Sequence, residues 1–566
     1  MTEAPRILQI LARRPFWVLA LLGLLLWLPG ILSLPPLDRD ESRFAQASRQ
    51  MVESGNLVDI RFGQVPRYKK PVGIYWLQAA ATGIADKFPG VDDHHIWTYR
   101  LPSLFGGIAA AWLTVWCALA LTGAETAFLA GVLMLGTVLL TGEASIATTD
   151  AVLLASVVAM QGVLIRVWRA ARVEGAPAVP TRLVLAGWAA MAAGILIKGP
   201  VPLGVAAVTV AGLVAWDRQW RDRQWRWLAQ LRPASGTLLA ALLVAPWLLA
   251  IAIQSHGAFF QQALGNDFAA KIAGGQESHG APPGYFLVLS AITFWPTILF
   301  VAPALVAAVQ RRADPMIHFL LVWAGGWWLL VELVPTKLPH YVLAAYPPLA
   351  ILAALWLAQP QPSSTGTRIA RWAGGIQFVL GAALLAAAPI ILTRLYGAGS
   401  GMDWRLLALA GTGAILSLVA LVLFLTRRDG LAMAAALAAL FVFVPGLTAE
   451  VAPGLSRIWV SARLAPLVAE HARPGDPPPA LAGFQEPSLV FALGKDVVLT
   501  DGRGAADAAA ARGGLALIED RERGAFLARL AELQDDAEAE ATLSGFNYSR
   551  GKPVHVTVYR VGRIAP

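Results

Sequence analysis

Asp38, Arg39, Asp40, Glu41 and Arg43 crowd into PPLDRDESRF, directly after the apolar run FWVLALLGLLLWLPGILSL. A carboxylate at such an edge can position or deprotonate an attacking hydroxyl, which makes Asp40 and Glu41 candidate catalytic groups. A helix N-cap with a first-turn acid is the structural alternative. Asp150 closes TGEASIATTD and opens another apolar run, with the same two readings. Carboxylates at the edge of hydrocarbon cost a few kcal/mol unless paired, and this favours use. Lysines recur in comparable places: Lys69 and Lys70 after Tyr68 in RYKKPVGIYW, Lys198 in ILIKGP, and Lys337 in PTKLPHY, where His340 and Tyr341 follow. Lysines beside lipid headgroups bind phosphate as point charges. Snorkelling and an aromatic belt are the structural alternatives. Acids together with cations suit displacement of a phosphate leaving group, whose charge the cations neutralise as it departs.

Other polar groups are less coherent. His94 and His95 beside Asp92 and Asp93 have metal-ligand types, but adjacent side chains diverge, which argues against a shared ion. His256 and His279 flank a loop that carries Glu277, and GGQESHGAPPG reads as a mobile segment or lid. The carboxylates invite Mg²⁺ or Mn²⁺, yet hard cations want several oxygen ligands, so no metal ligands are assigned. Cys117, the single cysteine, lies in an apolar run and reads as a small buried residue.

The elements that must position these groups are membrane helices. The chain is 57% hydrophobic and 14% charged, with a mean hydropathy of +0.59. A soluble domain is nearer half apolar and a quarter charged. A span takes about 20 apolar residues. Such runs fall near 16–34, 100–121, 126–143, 149–168, 183–197, 200–216, 236–254, 286–309, 316–334, 341–358, 373–393, 405–426 and 430–448. The fold class is therefore mainly α: a polytopic membrane protein of about 13 transmembrane helices. The start, MTEAPRILQILARRPFWVLA, reads as an uncleaved first span, because no small-residue cleavage site follows. Basic connections (RVWRAARVEG, DRQWRDRQWRW, QRRADP, QPSSTGTRIARW, TRRDG) alternate with the rest, so the N-terminus is expected in the cytoplasm. The unusual polar motifs then share the opposite, periplasmic face. Residues 35–99 form its first and longest loop.

Two domains are expected: 1–448, a transmembrane catalytic domain, and 449–566, a small periplasmic α/β domain. In the latter SLVFALG, DVVLT, LALIED and VHVTVYRVG alternate with a helix-like RGAFLARLAELQDDAEAEA. The net charge of +9 belongs to cytoplasmic loops, and nucleic-acid binding is not expected. No internal repeat of the kind common in transporters is evident.

RDESRFAQASRQM, RYKKPVGIYWLQAA, YRLPSLFGG, TTD at 148–150, ILIKGP and TKLPHYVLAAYPPLA follow one another in an order that resembles the bacterial lipid A aminoarabinose transferase family. That family sits with the protein O-mannosyltransferases in the GT-C glycosyltransferase superfamily. The resemblance implies a GT-C fold with juxtamembrane helices in the first outer loop. It implies Asp40 as the leading catalytic carboxylate and Asp150 as the second outer-loop acid. It also implies Lys70 as the carrier-phosphate lysine, Lys337 and Tyr341 as headgroup contacts, and Lys271 as a basic residue that meets phosphate. Relatives often have an acid where Lys69 stands, and a lysine there suits a neutral or acidic sugar. The expected function is inverting transfer of a sugar from a polyprenyl-phosphate carrier to a lipid acceptor, lipid A or lipopolysaccharide core, at the periplasmic face of the bacterial inner membrane. The expected enzyme acts as a monomer. Transfer to a protein or another glycan is the alternative within the class. A lipid-linked sugar flippase is the alternative outside it; it would need ionisable groups along a midplane path, where only His318 and Glu332 come near.

Overall fold

The computed structural model describes residues 6–216, 224–263, 265, 280–359, 364–399 and 403–562. Lys271 and His279 lie outside the described residues. Ten helices among the described residues are long and apolar enough to cross a membrane, and the bent pair Ala124–Leu135 and Val138–Ser145 makes an eleventh. The shorter apolar helices Val201–Ala215 and Ile298–Gln310 fall in the two remaining expected runs. Local sequence marks several starts. Pro15, Pro233 and Pro315 stand in the first turn, where a missing N–H costs nothing. The Asp314 carboxylate accepts from the Met316 N–H at 2.9 Å.

The segment between the first two spans holds the helix Asp40–Ser54, a two-residue hairpin of β1 (Arg61–Phe62) and β2 (Val65–Pro66), and the helix Gly73–Ala85. Gly73 meets the end of the helix Thr181–Lys198 so closely that a Cβ would lie 2.8 Å from the Leu196 carbonyl oxygen. Gly106 does the same between Ile96–Ala118 and Asp150–Arg172, where a Cβ would meet the Val152 backbone at 2.8 Å. These two contacts bring the starts of Asp150–Arg172 and the end of Thr181–Lys198 next to the first loop.

The C-terminal part is a five-stranded sheet in the order β4-β3-β5-β7-β6. Its strands are β3 (Ala480–Ala482), β4 (Val498–Thr500), β5 (Gly514–Glu519), β6 (Ala537–Asn547) and β7 (Lys552–Val561). The first three pair in parallel and the last two antiparallel. Alternation sends Leu481, Leu517 and Val558 to one core and Ala482, Ile518 and Tyr559 to the other, as the period of two requires. Two stretches differ from the reading of the sequence. SLVFALG is the helix Pro487–Leu493, which starts at a proline and packs one apolar side into the sheet. The helix expected through AEAEA stops at Leu533, with Gln534 left-handed at φ 57°, and Ala537 begins β6. Alternating Glu and Ala serves a strand with one wet face better than a helix.

Candidate functional site

A cavity of about 660 Å³ opens beside the first loop. Lys70, Asp150, Lys198, His340 and Tyr341 form its polar end. Leu153, Leu154, Val157, Val201, Trp327 and Leu330 line the rest. Asp150 and Val157 are seven residues apart on one helix, so the apolar part runs about 10 Å beyond the carboxylate.

Each polar group is placed by a different element. Asp150 is the first residue of its helix, where the dipole favours an anion. Its Oδ1 accepts from Lys198 Nζ at 2.6 Å and its Oδ2 from Thr149 Oγ1 at 3.1 Å. Lys198 ends its own helix just before Gly199 at φ 64°. His340 enters from the turn Pro339–Ala345, with its ring 5.1 Å from that of Tyr341. Its Nδ1 lies 3.7 Å from Glu143 Oε1, and Thr148 Oγ1 donates to Glu143 Oε2 at 2.9 Å. Asp40 and Lys70 are electrostatic neighbours of His340, and Asp40 of Glu143 as well. The groups singled out from distant loops therefore converge.

Asp40 opens the helix Asp40–Ser54 with its side chain largely in solvent, outside the cavity wall but within electrostatic range of His340, which lines it. Arg43 follows one turn later, half-buried. Lys69 is exposed and outside the cavity wall, whereas Lys70 belongs to it.

Three expected site residues do something else. Glu41 is buried and grips Arg100, also buried, with two bonds at 2.8 and 2.9 Å. It also accepts from the Leu37 and Ala147 N–H groups at 2.8 and 2.7 Å. Adjacent helix positions diverge by about 100°, so Asp40 and Glu41 cannot serve one pocket. Tyr68 is buried, and its hydroxyl donates to Asp59 Oδ1 at 2.8 Å. Burial and the Asp59 carboxylate push that phenol up to about 12. Lys337 is buried and donates to the carbonyls of Glu332 at 2.6 Å and Val334 at 3.0 Å, with Glu332 Oε2 at 3.6 Å. It closes the C-terminus of the helix Pro315–Leu333 and fixes the turn that carries His340.

Two residues were not singled out from the sequence. Glu143 lies in the quoted TGEASIATTD, and its acidity inside an apolar stretch was the available signal. Arg67 directly precedes Tyr68. It is 7% exposed, its guanidinium lies over the Phe44 ring at 4.8 Å, and its Nη2 is 3.5 Å from Asp40 Oδ1. Its Nε and Nη1 have no hydrogen-bond partner among the described residues.

Among the described residues, two groups bring ligand-type atoms within 4.8 Å of one another: Glu143 with Asp150 and His340, and Asp92 with Asp93 and His94. A hard divalent cation wants about six oxygens, and Lys198 already holds Asp150. The second group has Arg49, whose Nε is 3.1 Å from Asp93 Oδ2 and whose Nη2 is 2.9 Å from His94 Nε2. In both groups a side-chain cation stands where the carboxylates need positive charge.

The fold has solved counterparts. ArnT from Cupriavidus metallidurans bound to undecaprenyl phosphate superposes with a TM-score of 0.72 at 19% identity, covering 96% of this chain and 97% of that one. The chain has the GT-C glycosyltransferase fold. An archaeal oligosaccharyltransferase of this fold, AglB from Archaeoglobus fulgidus, superposes at a TM-score of 0.50 and 12% identity, covering 87% and 64% of the two chains. Residues 36–258 match the family model of dolichyl-phosphate-mannose-protein mannosyltransferases, which takes in the loop of Asp40, the Asp150 helix and Lys198. Curated relatives are named undecaprenyl phosphate-alpha-4-amino-4-deoxy-L-arabinose arabinosyl transferase. That of Erwinia tasmaniensis is 29% identical over 317 residues, 56% of this chain and 54% of its own length. That of Pectobacterium carotovorum subsp. carotovorum is 25% identical over 401 residues, 68% and 66%. The chain thus spans between about half and two thirds of the length of these GT-C relatives.

Proposed function

We propose that this protein is an inverting glycosyltransferase that moves a sugar from a polyprenyl-phosphate carrier to a lipid acceptor such as lipid A or lipopolysaccharide core. The observation that carries this reading is the two-part cavity. Cations and a carboxylate stand at one end, and an apolar wall runs on from them into the span. An amphiphile with an anionic head and a hydrocarbon tail matches that division, and curated relatives named for undecaprenyl phosphate support it.

The chemistry follows from the placement of charge. The anomeric carbon–oxygen bond to the carrier phosphate breaks, and its electron pair leaves with the phosphate. Lys70 and Lys198, both on the cavity wall, offset that charge. An acceptor hydroxyl attacks the opposite face of the anomeric carbon, and Asp40, exposed beside the cavity's polar end, takes its proton. Asp150 and His340 orient Lys198 and the donor head. Lys198 serves as the resident cation beside Asp150. Basic connections on one side favour a cytoplasmic N-terminus, with the cavity mouth and the C-terminal domain in the periplasm. The flippase alternative is disfavoured because charged groups gather at one end of the cavity while its depth is apolar.

The test is reconstitution in lipid nanodiscs with an undecaprenyl-phosphate sugar and lipid A, with mass spectrometry of the lipids. Glycosylated lipid A from the wild type, and none from Asp40→Asn with donor binding retained, is the expected result. Equal product from both would overturn the assignment. Product on a protein or soluble glycan, with none on lipid, would move it to the alternative acceptors.

A further inference from the structure

Asp40 is held from both sides, and one side belongs to the C-terminal domain. Behind it, Glu41 is locked into the membrane helices by Arg100. Ahead of it, the turn Asp38–Arg39 is locked by residues some 450 to 510 positions away. The Asp38 N–H donates to the Tyr548 hydroxyl at 2.6 Å. Ser488 Oγ donates to the Asp38 carboxylate. Arg39 Nη2 donates to the Ser549 carbonyl at 2.5 Å. Arg39 itself has φ 65° and ψ −112°, a backbone state that a side chain with a Cβ enters at a cost and keeps only where its surroundings enforce it. The domain is firmly seated beside this turn. Phe491 packs edge-on to Tyr99 at 5.6 Å within one buried cluster with Ala45 and Ala147. Lys495 pairs with Glu53 at 3.1 Å and Arg49 donates to the Phe491 carbonyl at 3.3 Å.

We propose that the C-terminal domain is a positioning element of the transfer site: Tyr548, Ser488 and the Ser549 carbonyl hold the strained Asp38–Arg39 turn so that Asp40 faces the reacting atoms. The inference rests on Asp40 as the proton acceptor. No described residue of the domain lines the cavity, so its contribution is confined to the step in which Asp40 takes part. A displacement of about 1 Å at a reacting group costs up to about 100-fold in rate.

The experiment uses the full chain. Tyr548→Phe with Ser488→Ala removes two latches. The expected result is a kcat lowered about 10- to 100-fold with the donor KM unchanged within about twofold. Ser488→Thr, which keeps a hydroxyl, restores kcat in the Tyr548 background to the level of Tyr548→Phe alone. Arg39→Gly is the second variant. Glycine accepts φ 65° without strain, so the fold stands while the Ser549 latch is lost, and kcat again falls at constant donor KM. Wild-type kcat in Arg39→Gly and in the double variant overturns the inference, as does an equal loss in kcat and donor affinity. Asp40→Asn separates this from the underlying reading. If it is inactive while the latch variants are normal, only the positioning role fails. If it turns over normally, the role of Asp40 fails first.

Discussion

Glu41→Gln distinguishes a catalytic carboxylate from a structural one, because the two roles predict opposite results. Arg100 offers five N–H groups, and every one is used. Nε and Nη2 donate to Glu41, Nη1 to the carbonyls of Ile31 and Leu34, and Nη2 also to that of Pro35. Glu41 in turn accepts from Arg100 twice and from the Leu37 and Ala147 N–H groups. An amide in its place sets an NH₂ against one of those donors and leaves the guanidinium, 0% exposed, without a counter-charge. Breaking a buried pair by removing one partner costs about 3–5 kcal/mol. Over 566 residues that lowers the melting temperature by about 2–4 °C. The assay is thermal unfolding of detergent-purified protein beside single-turnover transfer below the melting range. We expect an early melt with residual turnover. A wild-type melt with abolished transfer would refute the structural role and return Glu41 to the chemistry.

Asp40→Asn should lower kcat about 1,000-fold at unchanged melting temperature, within the span of general-base effects; a loss below tenfold would sink Asp40 as proton acceptor. Lys70→Ala and Lys198→Ala should weaken donor binding or raise the barrier by about tenfold or more each, read as donor KM and kcat. Lys69→Glu should alter the choice between neutral and amino sugar donors without changing the melt; unchanged selectivity ends that idea. Burial beside Glu486 pushes the Asp38 carboxyl up to about 6 from 3.8. A raised carboxyl stabilises the fold most below its unfolded value and loses that stability as pH rises through the folded one. Asp38→Asn, which keeps the Ser488 and Tyr548 bonds, should therefore melt like the wild type near pH 4 and later than it at pH 8; the reverse order would contradict a desolvated Asp38.

Much of the architecture is readable along the chain because a bilayer imposes a length and a polarity on each span. Every expected apolar run falls on helical structure, two of them (126–143 and 286–309) on a pair of helices, and several of the lone charged residues between runs line the cavity. Lys70, Asp150, Lys198, His340 and Tyr341 were all legible in this way, since an ion next to hydrocarbon is costly and therefore conspicuous. Pairing was not legible. That Glu41 belongs to Arg100 and Lys337 to the end of its own helix depends on which carbonyls and guanidinium the packing brings near. Arg67 gives no signal of its own beside three other polar residues, and its contact with Asp40 exists only after the hairpin of β1 and β2 folds back. Composition and periodicity along the chain thus determined the membrane helices, the C-terminal sheet-bearing part and several of the polar residues of the cavity. Which of two neighbouring carboxylates is buried against Arg100 and which stays exposed, and that the tail returns to grip the turn before Asp40, only the tertiary structure decided, because both rest on contacts between residues tens to hundreds of positions apart, to which local sequence is blind.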